Sequence, residues 1–95
     1  MNRQSRSSFC LGRIVATKGA LAACQNYSVS PLDLLRRHAA EDWGDLCIED
    51  LQANSQAIRS GERLLSAYRL SPQERIWIIT EADRSATTLL LPEEY

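Results

Sequence analysis

Histidine, cysteine and long apolar runs are all scarce in this sequence of 95 residues. The three cysteines, Cys10, Cys24 and Cys47, are widely spaced without a CxxC pair, so neither a disulfide framework nor a structural zinc site is predicted. No apolar run approaches the ~18 to 20 residues of a membrane helix, and the polar N-terminus lacks the apolar core of a signal peptide. We therefore expect a cytoplasmic protein with reduced thiols, no metal, no cofactor and no membrane association.

What the sequence does contain is typical of one small globular domain. Hydrophobic residues make up 44% and charged residues 24%, which excludes a disordered or collagen-like chain. The chain is too short to build two separate cores. Residues 1–9 are polar and carry no periodic apolar pattern, so we expect a disordered tail followed by a single domain over residues 10–95.

Charge is distributed unevenly along the chain. Residues 1–32 carry three Arg and one Lys without an acid, whereas residues 33–95 carry seven Arg against twelve Asp and Glu. Two arginines in a disordered tail contribute little phosphate affinity, so nucleic-acid binding is not expected. The second half contains an acidic cluster suited to a basic partner surface: Glu41, Asp42, Asp45, Glu49 and Asp50.

The sequence predicts an α+β fold, with two to three short N-terminal helices packed on a three- to four-stranded antiparallel sheet. A short strand near Cys10 leads to Thr17, which is placed to cap the first helix. Ser30-Pro31 begins a second helix extending to about Ala40. We expect Asp45 to cap a third helix that ends at Gly61. In the second helix, the predicted core stripe consists of Leu32, Leu35 and Ala39, with Leu34 and His38 flanking it.

The rest of the chain reads as a β-meander. The predicted strands are 63–70, 75–81 and 86–91, and Pro92 ends the last because proline cannot donate to a strand ladder. The inner face consists either of Leu64, Tyr68, Ile76, Ile78, Leu89 and Leu91 or of Leu65, Trp77, Ile79 and Leu90, since a one-residue slip exchanges the two sets. Because both sets are apolar, helices should cover one face and leave the other to a partner or to a homodimer.

The turn between the last two strands is the densest polar stretch. It holds Glu81, Asp83 and Arg84, whose guanidinium can contact a phosphate or carboxylate. The alternative is that these side chains satisfy turn amides and pair with one another. His38 is either a functional residue, as a general base or a titrating switch near neutral pH, or a boundary histidine that donates one hydrogen bond.

A loose likeness to small ribonucleases of the barnase and colicin type gives an enzymatic alternative. Those domains place helices before an antiparallel sheet and cleave RNA with Glu, Arg and His side chains. Here His38, Arg69, Glu81 and Arg84 are the corresponding candidates, with Thr87 or Thr88 as a phosphate donor. His38 precedes the sheet, whereas those enzymes usually carry their histidine on a late strand, and an acidic surface suits RNA poorly.

Five separated segments carry a closer resemblance: Leu11–Thr17 with Gly19–Leu21, Ser30–Leu35 with Arg37-His38, Asp42–Leu46, Leu64–Tyr68, and Ile78–Ser85 continuing through Leu89–Tyr95. Together they span about residues 11–95. They resemble a family of small proteins of bacterial plasmids, integrative elements and genomic islands. Its members are often labelled "plasmid-related protein" or "type I restriction endonuclease subunit M". The second label does not fit as an activity, because the sequence has neither the Gly-rich cofactor turn nor the Asn-Pro-Pro-Tyr-like motif of a DNA methyltransferase.

The resemblance implies a mobile genetic element, where small acidic proteins block restriction or CRISPR machinery by occupying a surface. We therefore interpret the chain as a non-enzymatic, protein-binding protein, with inhibition of a host defence complex as the most specific form. The candidate interface consists of Glu41, Asp42, Trp43, Asp45, Glu49 and Asp50, supported by Glu81, Asp83 and Arg84. Trp43 either anchors this interface or is pinned inside its turn.

Overall fold

A computed structural model describes residues 8–95 and confirms the α+β fold, with three helices and a four-stranded sheet in that part of the chain. The elements follow in the order β1 (Arg13–Ala16), α1 (Lys18–Asn26), α2 (Pro31–Ala39), α3 (Ile48–Ser60), β2 (Leu64–Arg69), β3 (Arg75–Thr80) and β4 (Ala86–Leu90), with a 3-10 turn over Pro92–Glu94. Most of the tail predicted over 1–9 lies outside the described residues.

The sheet has the strand order β1-β4-β3-β2 and is mixed. The β2-β3 and β3-β4 pairs are antiparallel, as the meander predicted. The expectation of an antiparallel-only sheet is wrong, because β1 pairs with β4 in parallel. All three helices separate β1 from β2, and a connection of that length lets a strand join the sheet in either direction.

The helix termini follow local signals, with one correction. The Thr17 hydroxyl accepts from the Ala20 N–H at 3.0 Å and caps α1, and Gly61, with φ of 77°, ends α3 in the left-handed region. Asp45 does not cap α3, whose N-cap is Cys47. The Asp45 N–H instead donates to the carbonyl of Ala67 on β2 at 2.7 Å, which holds this residue at the sheet edge.

Helices α1 and α2 bury one face of the sheet. The buried side chains of this core are Ala20, Cys24, Leu34, Leu35, Tyr68, Ile76, Ile78 and Leu89. The first of the two predicted register sets therefore faces the helices. The predicted stripe of α2 was wrong in part, because Leu32 is 62% exposed while Leu34 and His38 are buried. The stripe is rotated toward His38, since that residue finds polar partners inside the sheet.

The outer edge of β2 is covered at two positions by hydrogen bonds to its backbone. The Asn54 side chain donates to the Leu65 carbonyl at 2.7 Å and accepts from the Leu65 N–H at 3.1 Å. Further along the edge, the Ala67 N–H donates to the carbonyl of Trp43 at 3.0 Å, beside a parallel bridge between Gly44 and Ala67. This edge is thereby closed to other strands.

We predict that Gly44→Ala lowers the free energy of unfolding by more than Gly61→Ala does. Both glycines have positive φ, which costs another residue about 1 to 2 kcal/mol. A Cβ on Gly44 would also overlap the carbonyl of Ala67, whereas nothing lies within 4 Å of a Cβ on Gly61. Urea unfolding of the two variants measures the difference, and equal losses would contradict the close approach at Gly44.

Candidate functional site

A groove of about 270 Å³ lies on the sheet face opposite α1 and α2, between α3 and the C-terminal turn. Its lining residues are Asp50, Ala53, Asn54, Arg63, Leu64, Leu65, Trp77, Ile79 and Tyr95. The floor comes from adjacent strands, where Leu65 of β2 lies opposite Ile79 of β3. These two residues and Trp77 belong to the second predicted register set, so strand alternation anticipated this apolar face.

Two aromatic rings form one side of the groove. The ring centroids of Trp77 and Tyr95 lie 5.7 Å apart at 64°, an edge-to-face arrangement. The Arg63 guanidinium lies over the Tyr95 ring at 5.3 Å from its centroid. Tyr95 nevertheless remains 65% exposed, so a large part of this aromatic surface is accessible.

The C-terminal turn is fixed in place by Glu94. Its Oε1 accepts from the Thr17 hydroxyl at 2.6 Å and from the Leu91 N–H at 2.7 Å. These contacts, with the Thr17 hydrogen bond foremost, hold the pKa of the Glu94 carboxyl below its ordinary value. Because the carboxylate binds at the start of α1, the neighbouring Tyr95 is positioned beside the groove. Sequence reasoning missed Arg63 and Tyr95 as site residues. Arg63 lies outside the five segments of the resemblance, and Tyr95 lies within one of them without a binding role assigned to it.

The rim of the groove carries one charge of each sign. Asp50 in the first turn of α3 and Arg63 before β2 are both exposed. The amide of Asn54 is occupied by the backbone of Leu65 and leaves the groove little polar character of its own. An apolar floor with a charged rim is suited to an apolar side chain whose neighbours are charged or polar.

Two aspartates of the predicted acidic interface are paired with arginines. Asp42 binds Arg37 through two contacts of 2.7 and 3.3 Å, and this hydrogen bonding holds the pKa of Asp42 below its ordinary value. Asp45 binds Arg69 at 2.5 Å and Arg75 at 3.5 Å, and the bond from Arg69 lowers its pKa likewise. Pairing removes much of the negative potential expected from this segment.

Trp43 does not serve as an exposed anchor of that interface. It is 8% exposed, and the centroid of its ring lies 5.4 Å from the ring centroid of His38 and 6.2 Å from that of Phe9. Ala57 and Leu64 complete this second buried cluster. Trp43 is therefore buried inside its turn, which was the second of the two alternatives for this residue. Phe9, which the sequence assigned to the tail, packs against the domain.

The remaining acids of the predicted interface are exposed. Glu41 accepts a hydrogen bond from the Ser8 hydroxyl, and Asp83 accepts from the Ser85 N–H at 3.0 Å within its own turn. Glu49 and Asp50 are exposed in the first turn of α3, where the helix dipole favours negative charge. Of the predicted interface residues, only Asp50 lines the groove.

Arg84 stabilises the end of α3. Its guanidinium donates to the carbonyls of Glu62, Ala57 and Glu81 at 2.6, 3.0 and 3.2 Å. A cation is favoured at a helix C-terminus, where carbonyls lack intrahelical partners. The expected pairing with the side chains of Glu81 or Asp83 is replaced by these main-chain contacts, and the guanidinium is committed to structure.

We predict that Arg84→Ala lowers the free energy of unfolding by about 1 to 2 kcal/mol. Hydrogen bonds to charged groups contribute ~1.5 to 3 kcal/mol, and solvent weakens those of this partly exposed guanidinium. Arg59→Ala is the matched control, because Arg59 is exposed and donates to the Gln56 side chain of the same helix, at 3.3 Å. Chemical denaturation should show a loss for Arg84→Ala and little change for the control. Equal stability of the two variants would contradict the assignment.

His38 is fully buried in a chain of hydrogen bonds. Its Nδ1 lies 2.6 Å from Ser66 Oγ and its Nε2 lies 2.9 Å from Thr80 Oγ1. Thr80 Oγ1 lies 2.7 Å from Thr87 Oγ1, and Thr87 donates to the Leu11 carbonyl at 2.7 Å. Because the Thr87 hydroxyl donates its one proton to the Leu11 carbonyl, it must accept the hydrogen bond from the Thr80 hydroxyl. Nε2–H then donates to Thr80, and Ser66 donates to Nδ1, so every member is satisfied.

The geometry does not assemble the residues of the ribonuclease alternative. His38 has no exposed surface, Thr87 is buried in the same chain, and Arg69 is bound to Asp45. Arg84 donates to carbonyls of the protein itself. In this conformation, His38 cannot contact a substrate, and burial keeps it neutral by lowering its pKa to about 4.

We predict that stability falls as the pH drops from about 6.5 to 4, by up to about 3 kcal/mol. Over that window the unfolded chain binds a proton at His38 that the folded chain rejects, so lower pH favours unfolding. His38→Gln removes this titration and should flatten the pH dependence, although it lowers stability at neutral pH. Urea unfolding across the window measures both slopes, and parallel slopes would exclude His38 as the cause.

Comparison of the chain with family models, with curated proteins and with solved structures found no match. Across residues 8–95, no helix is long and apolar enough to cross a membrane, and no group of three or more His, Cys, Asp or Glu side chains is placed to hold a metal ion. A function for the groove is therefore inferred from its geometry alone.

Proposed function

We propose that this protein is a non-enzymatic binding module that receives a protein partner in the groove. The observation that carries the proposal is the Trp77–Tyr95 pair beside the apolar floor of Leu65 and Ile79, on the face that α1 and α2 leave open. Aromatic side chains in apolar clefts are enriched among residues that dominate binding energy at protein interfaces.

The size of the groove favours a side chain of a protein over a cofactor. At about 270 Å³ it lies below the range of about 300 to 1,000 Å³ for sites of drug-sized ligands. It holds one or two large side chains, such as leucine or phenylalanine. The surrounding surface of the partner would then contact the charged rim.

The charges of the rim give the partner its orientation. A partner with an acidic group near Arg63 and a basic group near Asp50 has complementary electrostatics, and the reversed arrangement is disfavoured. The proposed interface thus retains Asp50 from the acidic segment and replaces Trp43 by Trp77 as its aromatic anchor.

The most specific form of the proposal is carriage by a mobile genetic element and inhibition of a host restriction or CRISPR complex. It is supported by the resemblance of the five sequence segments and by the negative charge of residues 33–95. A small domain that occupies one subunit surface with a single apolar groove is compatible with such an inhibitor.

We predict that exchanging the rim charges strongly reduces partner capture. The groove variant combines Asp50→Arg with Arg63→Asp, which leaves the net charge unchanged. The matched control combines Asp33→Arg with Arg36→Asp on the exposed face of α2, where these residues form an ion pair at 3.0 Å. Tagged chains are used for affinity capture from bacteria that carry restriction and CRISPR systems, with quantitative mass spectrometry as the readout.

The expected result is a partner recovered equally by the wild type and the control and reduced at least about tenfold with the groove variant, a change of ~1.4 kcal/mol. Retention of the partner by the groove variant, or capture of none by the wild type, would contradict the proposal. Degradation of RNA by the purified protein would replace it with an enzymatic function.

A further inference from the structure

The outer edge of β1 is open among the described residues. β1 pairs with β4 on one side and is the last strand of the sheet on the other. The N–H groups of Arg13 and Thr17 donate toward β4, to the carbonyls of Ser85 and Leu89, both at 3.0 Å. Since backbone groups alternate in direction along a strand, those of Ile14 and Ala16 point away from β4.

The two edges of the sheet differ in how they are protected. At β2, the Asn54 side chain occupies both backbone groups of Leu65, and the segment around Gly44 occupies those of Ala67. No described residue does this for β1, whose first three residues are all exposed. Natural sheets ordinarily cover such an edge or use it to bind another strand.

The side chains beside this edge suit an added strand. Ile14 is 45% exposed and Val15 is 40% exposed. Ile14 lies opposite Thr87 and Val15 opposite Thr88, so the two project from opposite faces of the sheet. A neighbouring strand with apolar residues at successive positions would cover both while its main chain pairs with Ile14 and Ala16.

The charges near β1 favour an added strand with acidic residues. Arg13 begins β1 and Lys18 follows the strand by two residues, and both are exposed. The Glu94 carboxylate also lies at this end of the strand, where it is bound by the Thr17 hydroxyl and the Leu91 N–H. A second copy of this chain would bring two sets of these cations together, which opposes self-pairing. A strand with acidic residues at its ends places each carboxylate near a cation.

We propose that β1 is a docking edge for an extended peptide with an apolar centre and acidic flanks, which adds to the sheet as a further strand. This inference is independent of the groove. The groove floor lies on β2 and β3, whereas β4 separates β1 from β3. The two sites can therefore be tested separately.

The probe is a synthetic peptide, Glu-Glu-Val-Thr-Ile-Val-Thr-Glu-Glu, with a second peptide in which lysine replaces every glutamate. Ile14→Pro removes the outward N–H without removing a donor to β4, and Ile14→Val keeps that N–H as the matched control. Fluorescence anisotropy gives the affinities, and hydrogen exchange follows the amides of Ile14 and Ala16.

The acidic peptide should bind the wild type and Ile14→Val alike, protect both amides, and bind Ile14→Pro at least tenfold more weakly. The groove variant should bind it normally. Because Ile14→Pro can also disturb folding, the double variant Arg13→Glu and Lys18→Glu provides a second measurement. It should lose the acidic peptide and gain the lysine peptide.

Three results would overturn the proposal. The first is equal binding of the two peptides to the wild type, because charge would then not select the strand. The second is absence of binding and of protection at Ile14 and Ala16. The third is a wild-type dimer that Ile14→Pro dissociates, which would assign the edge to a second copy of the chain.

Discussion

The buried imidazole of His38 is the constraint on which the rest of the structure depends. It joins α2 to β2 through Ser66 and to β3 through Thr80, and the chain continues through Thr87 on β4 to the Leu11 carbonyl before β1. A buried polar group left without a partner costs about 1 to 3 kcal/mol, so α2 has one favourable position over the sheet. Trp43, four residues after the end of α2, packs on the same ring and starts the segment that closes the β2 edge.

Charged side chains make many of the other contacts that hold the turns and loops against the helices. Arg84 links the β3-β4 turn to the end of α3, and Glu94 links the C-terminal turn to the start of α1. Asp42 and Asp45 bind arginines around the loop between α2 and α3. These residues are conspicuous in the sequence, yet their charged groups are bound to other residues of the same domain. The charges available to a partner are those left over, among them Asp50 and Arg63.

Local signals were sufficient to predict the elements, and distant contacts decided where the site lies. Ser30-Pro31, Gly61 and Pro92 each act within a few residues, so the start of α2, the end of α3 and the end of β4 followed from the sequence. The start of α3 did not, because Asp45 is held at the β2 edge and Cys47 is the N-cap. The parallel pairing of β1 depends on residues far along the chain, as does the burial of Trp43 against Phe9 and His38. The groove was anticipated only as an apolar sheet face, because its aromatic wall requires Tyr95 to fold back over Trp77.

The fold converts the charge asymmetry of the sequence into an asymmetry of position. Arg13 and Lys18, from the basic first third, lie at and beside the β1 edge of the sheet, whereas the exposed acids Glu49 and Asp50 lie on α3, which packs against β2 at the other edge. The chemistry of the two ends differs accordingly. An open strand edge offers main-chain hydrogen bonds, which give affinity with little selectivity, and flanking cations add selectivity for acidic sequences. The groove offers a shaped apolar contact, where selectivity arises from the side chain that fits. A partner that engages both would need an acidic extended segment at one end and an apolar anchor at the other.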